Sequence, residues 1–152
     1  MGTQFQPRDK AFEEKVRDSF HRQQAMKLVN ASLGAVRPGE VEIEFPFQPT
    51  LTQHHGFIHA GIVSTVLDSA CGYAAFSLMP EGAAVLTIEF KVNLLAPATG
   101  QHVRAVGKVK KPGRTITVTE GELYAHSDGG PKLTATMTGT MMSVYDHDGI
   151  TN

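Results

Sequence analysis

Apolar residues fall along this chain in three kinds of pattern. Near the start, Phe12, Val16 and Phe20 recur every fourth residue while Glu13, Glu14, Arg17 and Asp18 face elsewhere. That spacing predicts an amphipathic helix over roughly residues 9–31, with Gly34 as its stop. From Val41 strict alternation sets in, with Val41, Ile43, Phe45 and Phe47 on one face and Glu42 and Glu44 on the other. This is a strand, ended near Pro46 or confined by it to a sheet edge. The third pattern is GIVSTVLDSACGYAAFSLM, residues 61–79, which has helical length and is apolar on nearly every face of the wheel. Such a helix belongs in a core.

Four further strands follow, over residues 84–95, 103–110, 115–126 and 132–145. In the first, Ile88, Phe90, Val92 and Leu94 alternate with Thr87, Glu89, Lys91 and Asn93. In the last, Leu133, Ala135, Met137 and Met141 share a face. Short stretches that read as turns lie at 37–40, 79–82, 96–100, 111–114 and 127–130, and a polar tail begins near Asp146. Without internal repeat or linker, residues 1–152 read as one domain. Hairpin connections make the last four strands antiparallel. A single sheet must then curl around a helix that is apolar all round. The expected class is α+β, a hotdog fold with an extra N-terminal helix.

The chain has 152 residues, enough for one proper core. A charged fraction of 19% with 41% hydrophobic residues fits a soluble globular protein. A net charge of −1 offers no basic surplus for nucleic acid. Cys71 is the sole cysteine, so no internal disulfide forms, and its place in the apolar helix suits a buried, inert thiol. The charged N-terminus lacks a signal-peptide core, and Asp68 and Gly72 argue against residues 61–79 spanning a bilayer. The expectation is a cytoplasmic protein with neither nucleic acid nor membrane as partner.

Asp68 is the only charged residue in that apolar helix. A buried carboxylate is costly unless it is hydrogen-bonded, neutralised or used. The helix is preceded by QHHGFIHAG, Gln53 to Gly61, a polar lead-in to a helix start that offers unpaired N–H donors. An acid in a core helix with donors at its mouth suggests chemistry on a carbonyl. Ala60 and Asp68 are eight residues apart, hence ~12 Å along a helix axis, whereas an oxyanion donor must lie about 3 Å from its oxygen. If both serve one carbonyl, they come from different subunits, at a two-fold interface. His54, His55 and His59 invite a metal reading, but no third ligand of suitable spacing accompanies His55 and His59. No metal and no cofactor are expected.

The segment HHGFIHAGIVSTVLDSACGYAA resembles the signature of hotdog-fold acyl-CoA thioesterases, specifically the PaaI-like branch of phenylacetate metabolism. The likeness continues through TIEFKVNLLAPATG, KKPGRTITV and TATMTGTMM, in register over about two-thirds of the chain. It implies an acyl-CoA substrate and a homodimer, commonly paired again into a homotetramer. Asp68 would be the nucleophile, or the base that activates water. The N–H of Ala60, within the His59-Ala60-Gly61 helix start, would polarise the thioester carbonyl; Gln53 would position water or carbonyl, and Thr87 falls near the attacking water. The branch more often carries Asn at the position of Gln53 and Gly at that of Ala60, departures that bear on acyl specificity. The acyl chain would lie against Phe57, Ile58 and Leu67. In the basic cluster of Lys108, Lys110, Lys111 and Arg114, Lys111 and Arg114 would meet coenzyme A phosphates, against the plainer reading of solvated charge. Two alternatives stay open: a hotdog hydratase or dehydratase, for which no His–acid motif is found, and a non-catalytic acyl-CoA-binding module.

Overall fold

The computed structural model describes residues 5–150 and 152, so the extreme ends of the expected 1–152 unit lie outside the described residues. The N-terminal helix is two helices, α1 (Phe12–Arg22) and α2 (Gln24–Leu28), broken at an extended Gln23. A continuous helix turns about 100° per residue. It would have swung Met26 and Val29 away from the side that buries Val16 and Phe20; the break brings all four into the core. The stop is Asn30, at φ 55, not Gly34. Its N–H bonds to the Lys27 carbonyl and that of Ala31 to Met26, the paired bonds of a left-handed helix end. Gly34 lies inside a strand the alternation did not reveal, β1 (Ser32–Arg37).

The second strand, β2 (Glu40–Pro46), buries Val41, Ile43 and Phe45 and ends at Pro46 as expected. It is an interior strand, however, flanked by β1 and β4. The central helix α3 (Ala60–Phe76) follows, then β3 (Ala84–Leu94), β4 (His102–Lys111), β5 (Ile116–Ser127) and β6 (Gly130–Val144). All pairings are antiparallel in one six-stranded sheet of order β1-β2-β4-β5-β6-β3. Residues 96–100 are therefore no hairpin: β3 pairs with β6 at the sheet edge, and the chain crosses to β4. Ala98 explains the detour, since its buried carbonyl accepts the Ile58 N–H at 2.9 Å and ties the crossing to the start of α3.

The sheet holds α3 at backbone distance. Gly107 and Gly121 are cross-strand partners on β4 and β5. A Cβ at Gly107 would stand 2.3 Å from the Ala70 carbonyl, and one at Gly121 would stand 2.9 Å from Cys71 Sγ. Only glycine permits that approach, and the small residues of α3 face it. Around this contact Ile43, Phe45, Leu67, Leu123, Met137 and Met141 are almost wholly enclosed. This is the expected α+β hotdog architecture. Among the described residues no helix is long and apolar enough to cross a membrane.

Candidate functional site

The lead-in to α3 is a compact knot. Gln53 donates its N–H to the Phe57 carbonyl and accepts from Gly56 N, each at 2.9 Å, with Gly56 at φ 86. Its side-chain oxygen accepts the His55 N–H. His59 caps the helix: its Nδ1 accepts the Gly61 N–H at 2.8 Å, so the neutral ring carries its proton on Nε2. The His59 carbonyl takes the Ile62 and Val63 N–H groups at 2.9 and 3.1 Å. Ala60 is left with an N–H that has no partner among the described residues, at the positive end of a 17-residue helix. Beside it opens a cavity of about 400 Å³, walled by Gln53, Phe57, Ile58, Leu95 and Pro97. Sequence reasoning placed Gln53, Phe57, Ile58, Ala60 and Gly61 around one helix start, and the structure brings them together there.

Asp68 lies two turns further along α3, half-buried. Thr87 Oγ1 donates to its Oδ1 at 2.8 Å and also lies 3.3 Å from Met141 Sδ. Alternation had put Thr87 on the polar face of its strand, opposite Phe90, Val92 and Leu94. A β-bulge between Thr87 and Glu89 flips the parity. Thr87 pairs with inward-facing Met141, and Phe90, Val92 and Leu94 pair with Gly139, Met137 and Ala135 on that same face. Burial pushes the Asp68 carboxyl above its ordinary value, and the Thr87 hydrogen bond partly opposes the shift.

A second cavity, of about 270 Å³, adjoins Asp68 and is lined by Ser19, Arg22, Gln23, Gly72 and Tyr73. Sequence reasoning missed this wall from α1. Its link to α3 is the Ser69 hydroxyl donating to Gln23 Oε1 at 3.0 Å, a contact between residues 46 apart that leaves no local trace. The one available signal was Gly72, a glycine inside a helix.

Other expected residues sit elsewhere. Leu67 is fully enclosed in the core and does not line the Phe57–Ile58 cavity: α3 turns it onto the sheet, with Cδ2 near Gly121. The Cys71 thiol is buried and pushed up to about 12, mainly by burial. His54 and His55 are exposed with ring centroids 3.9 Å apart, and no three potential metal ligands converge among the described residues. Lys108 and Lys110 pair with Glu40 and Glu120 at 3.4 and 3.5 Å. Arg114 lines a cleft with Leu78 and Gly113, beyond the C-terminal end of α3 and so ~25 Å from Ala60 along the helix. The cluster is nearer to Asp68, because Thr117 at its base lies beside Met141, the cross-strand partner of Thr87.

The thioesterase superfamily matches residues 55–132, which include the helix start, α3 and β3 to β5. A curated relative from Halobacterium salinarum, whose name places it provisionally among esterases, is 32% identical over 108 residues, 68% of this chain and 71% of its own. The crystal structure of a thioesterase family protein from Silicibacter pomeroyi is 56% identical, with TM-score 0.87 over 88% of this chain and 98% of that one. The Escherichia coli PaaI protein of the phenylacetic acid degradation operon shares the fold, with TM-score 0.79 at 16% identity over 90% and 96% of the two chains. The chain belongs to the thioesterase superfamily and is a thioester hydrolase.

Proposed function

We propose that the protein hydrolyses acyl-CoA thioesters at sites shared between two subunits, with Asp68 of one facing the Ala60 N–H of the other. The observation that carries this is the separation of the two groups. Within one protomer they are ~12 Å apart along α3, too far to act on one carbonyl, yet each lines an open cavity. Thr87, which holds Asp68, lies on edge strand β3, where Leu86, Ile88, Phe90 and Leu94 are exposed. An unpaired apolar edge is a template for a second strand. Two-fold pairing along β3 would cover it and carry each Asp68 toward the partner's helix start. Exposed Ile116 and Val118 on the sheet's outer face favour a further pairing of dimers.

Thr87 occupies Oδ1 of Asp68 and leaves Oδ2 for the reaction. Asp68 either adds to the carbonyl carbon, giving an anhydride that water then cleaves, or takes a proton from water as that water adds. In both cases a C–O bond forms, the C–S bond breaks, and coenzyme A leaves as a thiolate that takes up a proton. The Ala60 N–H receives the oxyanion, Gln53 orients water or carbonyl, and His59 and Gly61 hold the helix start in shape. Phe57 and Ile58 wall the cavity that takes the acyl chain. Lys111 and Arg114 meet the coenzyme A phosphates. Hydration or dehydration is disfavoured because Thr87 is the only side chain hydrogen-bonded to Asp68 among the described residues, with no histidine at its side.

Ala60→Pro and Asp68→Asn together test the shared site. Ala60 is the first helical residue, where proline is tolerated, and His59 at φ −59, ψ 137 already has the extended form required before proline. The substitution removes the N–H and little else. Each variant alone should lose activity by about a hundredfold or more. Mixing them after dissociation should restore roughly a quarter of the activity, since half the dimers are mixed and each has one intact site of two. Failure of mixing to restore thiol release would place both groups in one subunit and end the proposal, and tight acyl-CoA binding without thiol release by the unaltered protein would favour a binding module.

A further inference from the structure

The cavities at Ala60 and Asp68 differ in character. The one at Ala60 is walled by Phe57, Ile58, Val63, Leu94, Leu95 and Pro97. The one at Asp68, of about 270 Å³, has Val85 as its only aliphatic side chain among the described residues. Apart from Gly72, the rest of its wall carries polar groups: the Asp68 carboxylate, the Gln23 amide and the hydroxyls of Ser19, Ser69 and Tyr73, with exposed Arg22 and Asn152 completing it. Gly72 lies one turn after Asp68 on the same face of α3. Glycine is disfavoured inside a helix relative to alanine. At Gly107 and Gly121 contact requires it, because a Cβ would run into α3. Gly72 is buried, yet a Cβ there would meet nothing within 4 Å, so its missing side chain leaves open space beside Asp68.

A water takes roughly 30 Å³ in the liquid and needs about two to four polar partners. The Asp68 cavity has the room, and its hydrogen bonds show which partners it offers. Thr87 holds Oδ1 of Asp68 at 2.8 Å, which leaves Oδ2 as an acceptor. Gln23 is half-buried, and Ser69 donates to its Oε1 at 3.0 Å. That bond engages the oxygen of the amide, so the amide's remaining offer is its N–H groups, which no described residue accepts. The Ser19 and Tyr73 hydroxyls bond each other at 3.3 Å. Asp68 thus presents an acceptor, and Gln23 a donor, to the same space. A water between them donates to Oδ2, accepts from Gln23 and keeps one lone pair for a carbonyl carbon.

We propose, on the thioesterase reading above, that this cavity supplies the hydrolytic water and that Gln23 is a catalytic residue, holding that water on Oδ2 of Asp68. Asp68 is then the base. The water oxygen bonds to the carbonyl carbon as Oδ2 takes one of its protons, the C–S bond breaks, and the departing thiolate takes up that proton. Gln53 is left to orient the carbonyl, and the acyl chain lies in the apolar cavity at the partner's Ala60.

The test uses the full chain and whichever of acetyl-CoA, hexanoyl-CoA and phenylacetyl-CoA it hydrolyses fastest, with release of free thiol as the readout. Gln23→Met removes the N–H groups. Gln23→Glu removes them too, but keeps an oxygen for Ser69. Both should lower kcat about tenfold or more while KM stays within about threefold. Ser69→Ala keeps the N–H groups and only frees the amide, so it should cost less than either. A merely structural Gln23 reverses that order: Gln23→Glu would match the unaltered protein, and Ser69→Ala would be as damaging as Gln23→Met. Either result overturns the assignment while leaving thioester hydrolysis intact. Thiol release by Gln23→Met should also be linear from the first turnover. A burst of one thiol per site would make Asp68 the nucleophile and remove the water from the first step, which overturns the assignment as well. No thiol release from any of the three substrates by the unaltered protein overturns the acyl-CoA reading beneath it.

Discussion

Replacing Asp68 by asparagine separates charge from shape. The Asn side chain keeps an oxygen where Thr87 donates at 2.8 Å, so the contact between α3 and β3 survives and only the carboxylate is lost. Loss of a positioned acid–base group costs about 10²–10⁴ in rate, or about 2.7–5.5 kcal/mol of barrier. Stability should move the other way. Burial holds the Asp68 carboxyl above its ordinary value of 3.8, so on raising the pH the unfolded chain ionises before the folded one. The folded state is then penalised from pH 3.8 upward, until its own carboxyl has ionised and the penalty levels off. Asparagine carries no such penalty. Asp68→Asn should therefore melt higher than the unaltered protein near neutral pH, and the two should converge below pH 3.8. Thiol release and thermal unfolding followed by circular dichroism at both pH values give the two readouts. Turnover within tenfold of the unaltered protein, or a lower melting temperature at neutral pH, would refute the assignment of Asp68 as a buried acid kept for chemistry.

Two other substitutions probe what surrounds it. Thr87→Val removes the hydrogen bond that favours the Asp68 carboxylate, so the carboxyl should rise further and the acid limb of the kcat/KM profile should move to higher pH; coincident profiles would remove Thr87 from the site. His59→Ala removes the ring nitrogen that accepts the Gly61 N–H at 2.8 Å and should lower the denaturant midpoint by the equivalent of about 0.5–2 kcal/mol; an unchanged midpoint would show that the cap contributes nothing.

The central helix was legible because no other segment is apolar on every face, and Asp68 was legible for the same reason: one charge in that run is conspicuous. The bounds of β4, β5 and β6 follow from alternation between clear turns. β1 was hidden because its few apolar residues, Leu33 and Val36, straddle an irregular register and are only half-buried. The β3–β6 pairing was hidden because APATG has hairpin composition, whereas its actual task, receiving the Ile58 N–H, is tertiary. The direction of Thr87 was hidden by a bulge, which alternation cannot register. Leu67 was misplaced because adjacency to Asp68 in sequence turns a side chain about 100° away on a helix, here into the sheet.

Three departures from local rule meet at Asp68. α1 breaks at Gln23, α3 carries Gly72 where alanine would be more stable, and β3 bulges at Thr87. Each conflicts with the regular element it interrupts, and each lies against the same carboxylate or its chamber: Thr87 bonds Asp68, while Gln23 and Gly72 wall the cavity beside it. Gly107 and Gly121 suit the close packing of helix on sheet and carry no such conflict. Other irregularities lie away from Asp68, at the register shifts between Leu33 and Val36, Val109 and Lys111, and Leu123 and Tyr124. What distinguishes the three at Asp68 is that they come from a helix end, a helix interior and a strand, and together leave one carboxylate held by Thr87 with open space beside it. A carboxylate so held and so accessible is what the proposed shared site requires of the acid end of α3.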